Sequence, residues 1–287
     1  MLDTQLDGRT ALVTGGAGAI GAALCERLAA AGANVAVVDA DAPRLEATTA
    51  SLAPADNILA VHSDLTEEAG VDAAVAAVQG AFGHVDVLVN GVGEHLASAG
   101  PFEESSEATW QALYEVNLLH VFRMTKALLA PMRQRRWGRI VNFSSVEGIR
   151  SAPALAVYTA FKAAVDAFTR SVAVDAARDG VLVNAVAVDK TRAYQTGHYA
   201  LPDDYEDLVP TFIPAGRYAE PEDVAEIALF LAGGCNRWIV GQTIVADGGT
   251  LAAGGWYRTP VRWTNQPVLA QYVEDPEANL RRPPMLQ

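Results

Sequence analysis

A tyrosine and a lysine four residues apart, Tyr158 and Lys162, stand in the stretch YTAFKAAVDAFTRSVAVDAA. If that stretch is helical, both side chains project from one face about a turn apart. A phenol with an ordinary pKa of about 10 is a poor base at neutral pH, but an ammonium within reach favours phenolate and lowers that value. The pair therefore reads as a proton-transfer group for an alcohol or carbonyl oxygen. The spacing alone is routine on helices, and context strengthens it. Ser145 lies thirteen residues earlier, at the end of the apolar run GRIVNFSS, where its hydroxyl can hold a substrate oxygen beside the phenol.

A second group of residues suits a dinucleotide. After the apolar run ALVTG come Gly15, Gly16, Gly18, Ile20 and Gly21, and a helix pattern begins inside them. Glycines let the backbone turn tightly and let a pyrophosphate approach main-chain N–H groups at a helix N-terminus. Asp39 follows Gly21 by 18 positions and ends the next apolar run, where a carboxylate can accept hydrogen bonds from both adenosine ribose hydroxyls. A 2'-phosphate there would meet a negative charge, and Ala40, Asp41 and Ala42 supply no cation, so NAD is favoured over NADP. Asp64 and Leu65, after the third apolar run, fall near the adenine. Asp64 reads equally well as an adenine contact or as a helix N-cap.

The elements that must position these groups are legible as an alternation. Seven short apolar runs, at 11–15, 34–39, 58–62, 85–90, 139–145, 181–188 and 242–249, read as strands buried on both faces. Helical patterns at 19–32, 66–82, 105–134, 156–178 and 221–232 lie between them. Strict alternation implies an α/β single-domain Rossmann fold, a doubly wound seven-stranded parallel sheet with right-handed crossovers, over residues 1–253. Its ligands belong at the C-terminal rim, where Ser145 falls. Residues 189–220, with three prolines and an acidic group, are too irregular for a core element and read as a lid. The C-terminal extension, 254–287, carries two tryptophans and two tyrosines; it reads as an ordered arm, with a disordered terminus as the alternative.

With the glycine loop, Ser145 and Tyr158-x-x-x-Lys162 in this order and at these distances, the chain resembles the classical short-chain dehydrogenase/reductase family over about residues 5–250. The likeness includes Asn90-Gly91-Val92-Gly93, the stretch EVNLLHVF, PAGRYAEPEDVAEIALFLAG and the closing VGQTIVADGG. It implies that Ser145 polarises the substrate oxygen, Tyr158 transfers the proton, and Lys162 lowers the tyrosine pKa and binds nicotinamide-ribose hydroxyls. It also implies that Asn117 holds a water linking Lys162 to solvent, that Asn90, Gly91 and Val188 line the cofactor, and that the chain assembles as a dimer or tetramer through its two long helices. Departures from the family pattern are Ala19, Phe161, Val188-Asp189 in place of Pro-Gly at the nicotinamide wall, and Ala193 in place of a carboxamide-binding threonine, for which Thr191 can substitute.

Composition bounds the rest. Apolar residues make up 51% of 287 and charged residues 19%, ordinary for a globular chain. A net charge of -13 repels nucleic acid and anionic lipid. The start lacks a signal sequence and no apolar run is long enough for a membrane span, so a cytoplasmic protein is expected. Cys25 and Cys235 fall in helical patterns and read as reduced thiols, and five scattered histidines offer no metal site. Together these readings imply an NAD-dependent oxidoreductase acting on a small-molecule secondary alcohol or ketone. The pocket would be lined by Glu94, His95 and Leu96, by Val146, Glu147 and Arg150, and by Tyr194, His198 and Tyr199. The aromatic lid residues suggest a cyclic or apolar substrate, though packing explains them almost as well. An NADH-dependent ketone reductase and a non-catalytic dinucleotide sensor are the alternatives.

Overall fold

The computed structural model describes residues 4–52, 55–192, 205–258 and 263–264. In chain order the first half runs β1 (Thr10–Thr14), α1 (Ala19–Ala30), β2 (Asn34–Asp39), α2 (Ala42–Ser51), β3 (Ile58–His62), α3 (Glu68–Phe82), β4 (Val87–Asn90), α4 (Glu107–Tyr114), a π-helical turn (Glu115–Leu119) and α5 (His120–Arg135). The second half runs β5 (Gly138–Ser145), α6 (Glu147–Arg150), α7 (Ala156–Ala176), β6 (Val181–Val188), α8 (Tyr205–Phe212), α9 (Pro221–Ala232), β7 (Thr243–Ala246), α10 (Thr250–Ala253), β8 (Tyr257–Arg258) and β9 (Trp263–Thr264).

All seven expected strands form one parallel sheet of order β3-β2-β1-β4-β5-β6-β7. β1, β4 and β5 are buried along their whole length, which is why their sequences are continuously apolar. One face of the sheet packs on α1 and α9 through Leu24, Leu28, Val224, Ala228 and Leu231. The other packs on α3, α5 and α7 through Val71, Val78, Met124, Leu128 and Ala173. Burial on both faces fixes the register, so the C-terminal ends of β1, β4, β5 and β6 form a common rim. Among the described residues no helix is long and apolar enough to cross a membrane.

Three expectations are corrected and one unanticipated helix is added. The helix expected over 105–134 is α4 and α5 joined by the π turn, whose extra residue per turn leaves Leu113 O for the side chain of Asn117. Helix α2 has no counterpart in the sequence reading, because its apolar content is low and Leu45 is its one buried side chain. The stretch 189–220 is not wholly irregular: α8 lies in it, and Val209, Ile213 and Tyr218 form a small core of their own. Cys235 lies in the turn after α9, not in a helix, while Cys25 is buried in α1. Tyr194, His198, Tyr199, Ala193 and nearly all of 254–287 beyond Arg258 lie outside the described residues.

Candidate active site

A cleft of about 520 Å³ opens along the C-terminal rim of the sheet. It is walled at one end by the glycine loop and Asp39, and at the other by Ser145, Tyr158 and Lys162. The loop between β1 and α1 is shaped by sterics: Gly15 has φ +63°, and a Cβ on it would lie 3.0 Å from Gly91 C. A Cβ on Gly21 would collide with Gly15 O. Gly15, Gly18, Ile20 and Gly21 all line the cleft. Gly16 has a different task, since its Cα packs where a methyl would meet Val37 Cγ1 at 2.8 Å, and it is absent from the cleft wall. Gly18 is the N-cap of α1, with no side chain capping the helix and no acidic residue in its first turn. The free N–H groups and the positive helix end thus face the cleft, which fits a pyrophosphate.

Asp39 sits at the end of β2 with one carboxylate oxygen accepting from Ala17 N–H at 3.0 Å and the other from Asp41 N–H at 3.0 Å. Each oxygen keeps a lone pair for a further donor. Asp64 is not an N-cap, because Glu67 precedes α3; its carboxylate closes a local turn onto Thr66 N–H at 2.9 Å while lining the cleft with Leu65. The Asn90 side chain turns away from the cleft and donates to Asn142 Oδ1 at 2.8 Å, so the cleft wall there is Gly91, Val92 and Gly93. Val188 and Thr191 also line the cleft.

At the reacting end, β5 delivers Ser145 and α7 delivers the other two groups. The Ser145 hydroxyl oxygen accepts from Glu147 N–H at 3.2 Å, which leaves its own proton available for another acceptor. Lys162 is 4% exposed; its Nζ donates to Phe143 O at 3.3 Å and lies 5.8 Å from the centroid of the Tyr158 ring. Burial pushes the Lys162 ammonium down to about 8, against the opposing pull of Asp166 and Glu94. Asn117 is fully buried, and its amide is committed to backbone: Oδ1 accepts from Glu94 N–H at 3.1 Å, and Nδ2 donates to Glu94 O at 2.8 Å and Leu113 O at 3.0 Å. The side chain therefore docks the 91–94 turn onto the π turn. The geometry brings Ser145, Tyr158 and Lys162 together in the lining at one end of the cleft, with Asn117 buried behind the lining beside Gly93.

The enoyl-(acyl carrier protein) reductase family model matches residues 15–250. Galactitol 2-dehydrogenase of Agrobacterium fabrum is 34% identical over 255 residues, covering 85% of this chain and 98% of its own. The chain belongs to the short-chain dehydrogenase/reductase family. Among solved structures of this family, levodione reductase superposes with a TM-score of 0.81 at 31% identity, covering 86% of this chain and 99% of its own. A 3-ketoacyl-(acyl-carrier-protein) reductase from Brucella melitensis complexed with NADH gives 0.78 at 30%, covering 85% and 99%. Short-chain dehydrogenase/reductases are oxidoreductases that bind a nicotinamide cofactor, and relatives of this chain act on alcohols and ketones.

At this short-chain dehydrogenase/reductase cleft Arg44 and His120 were not singled out from sequence, and Gly93 and Asp189 were read there only as motif positions. Arg44, in the undetected α2, lines the Asp39 end, with its guanidinium paired to Asp41 at 2.7 Å. At Gly93 a Cβ would lie 2.6 Å from Lys162 Nζ and 3.3 Å from Asn117 Oδ1, so a larger residue there has to displace the lysine end. His120 is wholly buried against the same turn, its ring beside the Val92 and Val116 backbone without a well-aligned hydrogen bond; burial and the Lys162 charge push its imidazole down to about 3. Asp189, where the family's Pro-Gly was expected, is held by Arg150 at 3.1 Å and by Thr250. Histidine spacing and glycine position carry no signal for such roles until the turn and the π segment are seen together.

Proposed function

We propose that this protein is an NAD-dependent oxidoreductase that moves a hydride between the nicotinamide and the carbon of a secondary alcohol or ketone, with Tyr158 as the proton-transfer group. The observation that carries the proposal is the buried Lys162 ammonium, 5.8 Å from the Tyr158 ring, in a cleft shared with Ser145 and the glycine loop. Bound there, the nicotinamide supplies the carbon that takes up or returns the hydride. Ser145 holds the substrate oxygen through the proton that Glu147 N–H leaves free. The Tyr158 oxygen takes the hydroxyl proton in the oxidative direction and returns it in reduction. Lys162 stabilises the phenolate; sheltered from water, its charge acts at close range with little screening. Asn117 fixes the turn beside Lys162.

NAD is assigned over NADP because Asp39 places a carboxylate at the adenosine end, while the charge of Arg44 there is engaged by Asp41. Gly15, Gly18, Ile20, Gly21, Asp64, Leu65, Gly91, Val188 and Thr191 complete the cofactor wall, with Gly16 and Asn90 acting behind it. Oxidation is the favoured direction, since cells usually hold the NAD pool oxidised. A cyclic or apolar secondary alcohol is the first substrate class to test, in keeping with Phe143, Leu155 and Val188 in the lining; polyhydroxylated alcohols are the second, after galactitol 2-dehydrogenase. Assembly as a dimer or tetramer is supported by Val174 on α7 and Trp238 before β7, exposed at 77% and 93%. The test is a panel of cyclic, apolar and polyhydroxylated secondary alcohols, followed by NADH absorbance with NAD and with NADP. NADH formation with at least one class is expected; no turnover with any alcohol, or with the matching ketones and NADH, overturns the proposal.

A further inference from the structure

Beside the reacting end, four side chains from three separate stretches are bonded into one network. Arg150 Nη2 donates to Glu147 Oε1 at 2.9 Å and to Asp189 Oδ1 at 3.1 Å, and its Nη1 donates to Thr250 Oγ1 at 3.0 Å. The Thr250 hydroxyl shares its proton between Asp189 Oδ2 and, at 3.1 Å, Asp247 Oδ2, so both oxygens of the Asp189 carboxylate are held. The Asp189 side chain is 4% exposed, and a carboxylate so placed is costly unless paired. The flat fork of the guanidinium reaches two carboxylates and a hydroxyl at once. Glu147 connects the network to the chemistry, because its backbone N–H is the donor to Ser145 Oγ. Glu147 and Asp189 also line the cleft.

The third stretch is the root of the C-terminal extension. Asp247 Oδ2 accepts from Leu251 N–H at 2.7 Å and fixes the turn into α10. The same segment is joined to the lid: Ala215 N–H donates to Gly248 O at 2.9 Å, and β8 packs against α8.

We propose that Glu147, Arg150, Asp189 and Thr250 act as one positioning clamp that holds the Ser145 segment against the end of β6, and that through Thr250 the C-terminal segment sets the geometry of the reacting end. This rests on the role given above to Ser145. It assigns a purpose to Asp189 in place of Pro-Gly: the wall that a rigid turn would build is held by an ion pair and a hydroxyl. Arg150, committed to carboxylates of its own chain, is a positioning residue and not a receptor for a substrate anion.

The experiment compares Arg150→Met, Asp189→Ala, Thr250→Val and the Arg150→Met/Asp189→Ala double variant with the unmodified full-length protein. Each single loss of a charge-assisted bond is expected to lower kcat/KM about tenfold, while in Arg150→Met and Thr250→Val the Kd for NAD, read by fluorescence, changes by no more than about twofold. Because the groups act as a unit, the double variant should be no worse than the weaker single. Thr250→Val should act in the same direction and Thr250→Ser should restore the rate. Amide hydrogen exchange of the NAD-free protein gives a readout separate from activity: Thr250→Val should speed exchange across 146–150, a hundred residues away. If no alcohol or ketone is turned over by the unmodified protein, the proposed function fails, and the exchange measurement still decides the clamp. Unchanged exchange with unchanged kinetics, additive losses in the double variant, or a loss in Arg150→Met confined to anionic substrates would each overturn it.

Discussion

Lys162 shows how a single residue can oppose stability and serve function. An ammonium whose pKa falls to about 8 on burial is held in a place that disfavours its charge. Below pH 8 the unfolded and folded chains both carry the proton, and the folded state bears the full desolvation cost. Between about 8 and the ordinary value of 10.5 the unfolded chain binds the proton and the folded chain does not, so this group's contribution to stability rises with pH across that window. Lys162→Met should therefore stabilise the protein at pH 7, on the order of 3 kcal/mol, with the gain shrinking towards pH 10. It should also abolish turnover. Urea melts of both proteins at pH 7 and pH 10 check this, and a less stable Met variant at pH 7 would contradict it. At the other end of the cleft, Asp39→Ala with Ala40→Arg should narrow or reverse the preference for NAD, because it removes one carboxylate and adds a phosphate partner beside Arg44. The ratio of kcat/KM for the two cofactors reads the change; equal use of both by the unmodified protein would show that Asp39 does not decide the choice.

At the scale of elements, the 91–94 turn and the π turn work as a pair, because Asn117 bonds the Glu94 backbone in both directions and Gly93 leaves room for Lys162. Gly93→Ala should push Lys162 off its position and cost about a hundredfold in kcat, as small misplacements of reacting groups do, while circular dichroism stays native. Activity within about twofold would show that the turn yields freely. The sheet that carries these elements was legible in the sequence as seven apolar runs that became seven strands; burial on both faces accounts for β1, β4 and β5, whereas the edge strands β3 and β7 are only partly buried. Gly15, Gly18, Gly21, Ser145, Tyr158 and Lys162 were legible because fixed spacings tie them to strand ends and one helix face. Asn90 was misjudged because only its place in the chain is legible, and its side chain turns to Asn142 behind the wall. Helix α2, the π turn and the Asp189 network were hidden for related reasons. The first has one buried side chain, the second differs from an α-helix by one residue in a turn, and the third joins residues up to a hundred apart.

For the whole molecule, the extension after β7 is the feature that the short-chain dehydrogenase/reductase likeness, ending at residue 250, does not cover. Its first residues pair β8 with β9 beside α8. Truncation after Gly255 is expected to raise KM for the substrate or to weaken the oligomer while NAD affinity holds. Steady-state kinetics and mass in solution test this, and unchanged values for both would make the segment an appendage. The central claim is that one phenol carries the proton while the cleft independently binds the cofactor. It is tested most directly by Tyr158→Phe, which keeps the ring and deletes the proton carrier. NADH formation from the best alcohol of the panel, measured beside NAD binding to the same purified variant, should fall about 100 to 10,000-fold with Kd for NAD within a few-fold of the unmodified protein. Near-normal NADH formation by Tyr158→Phe would contradict the account.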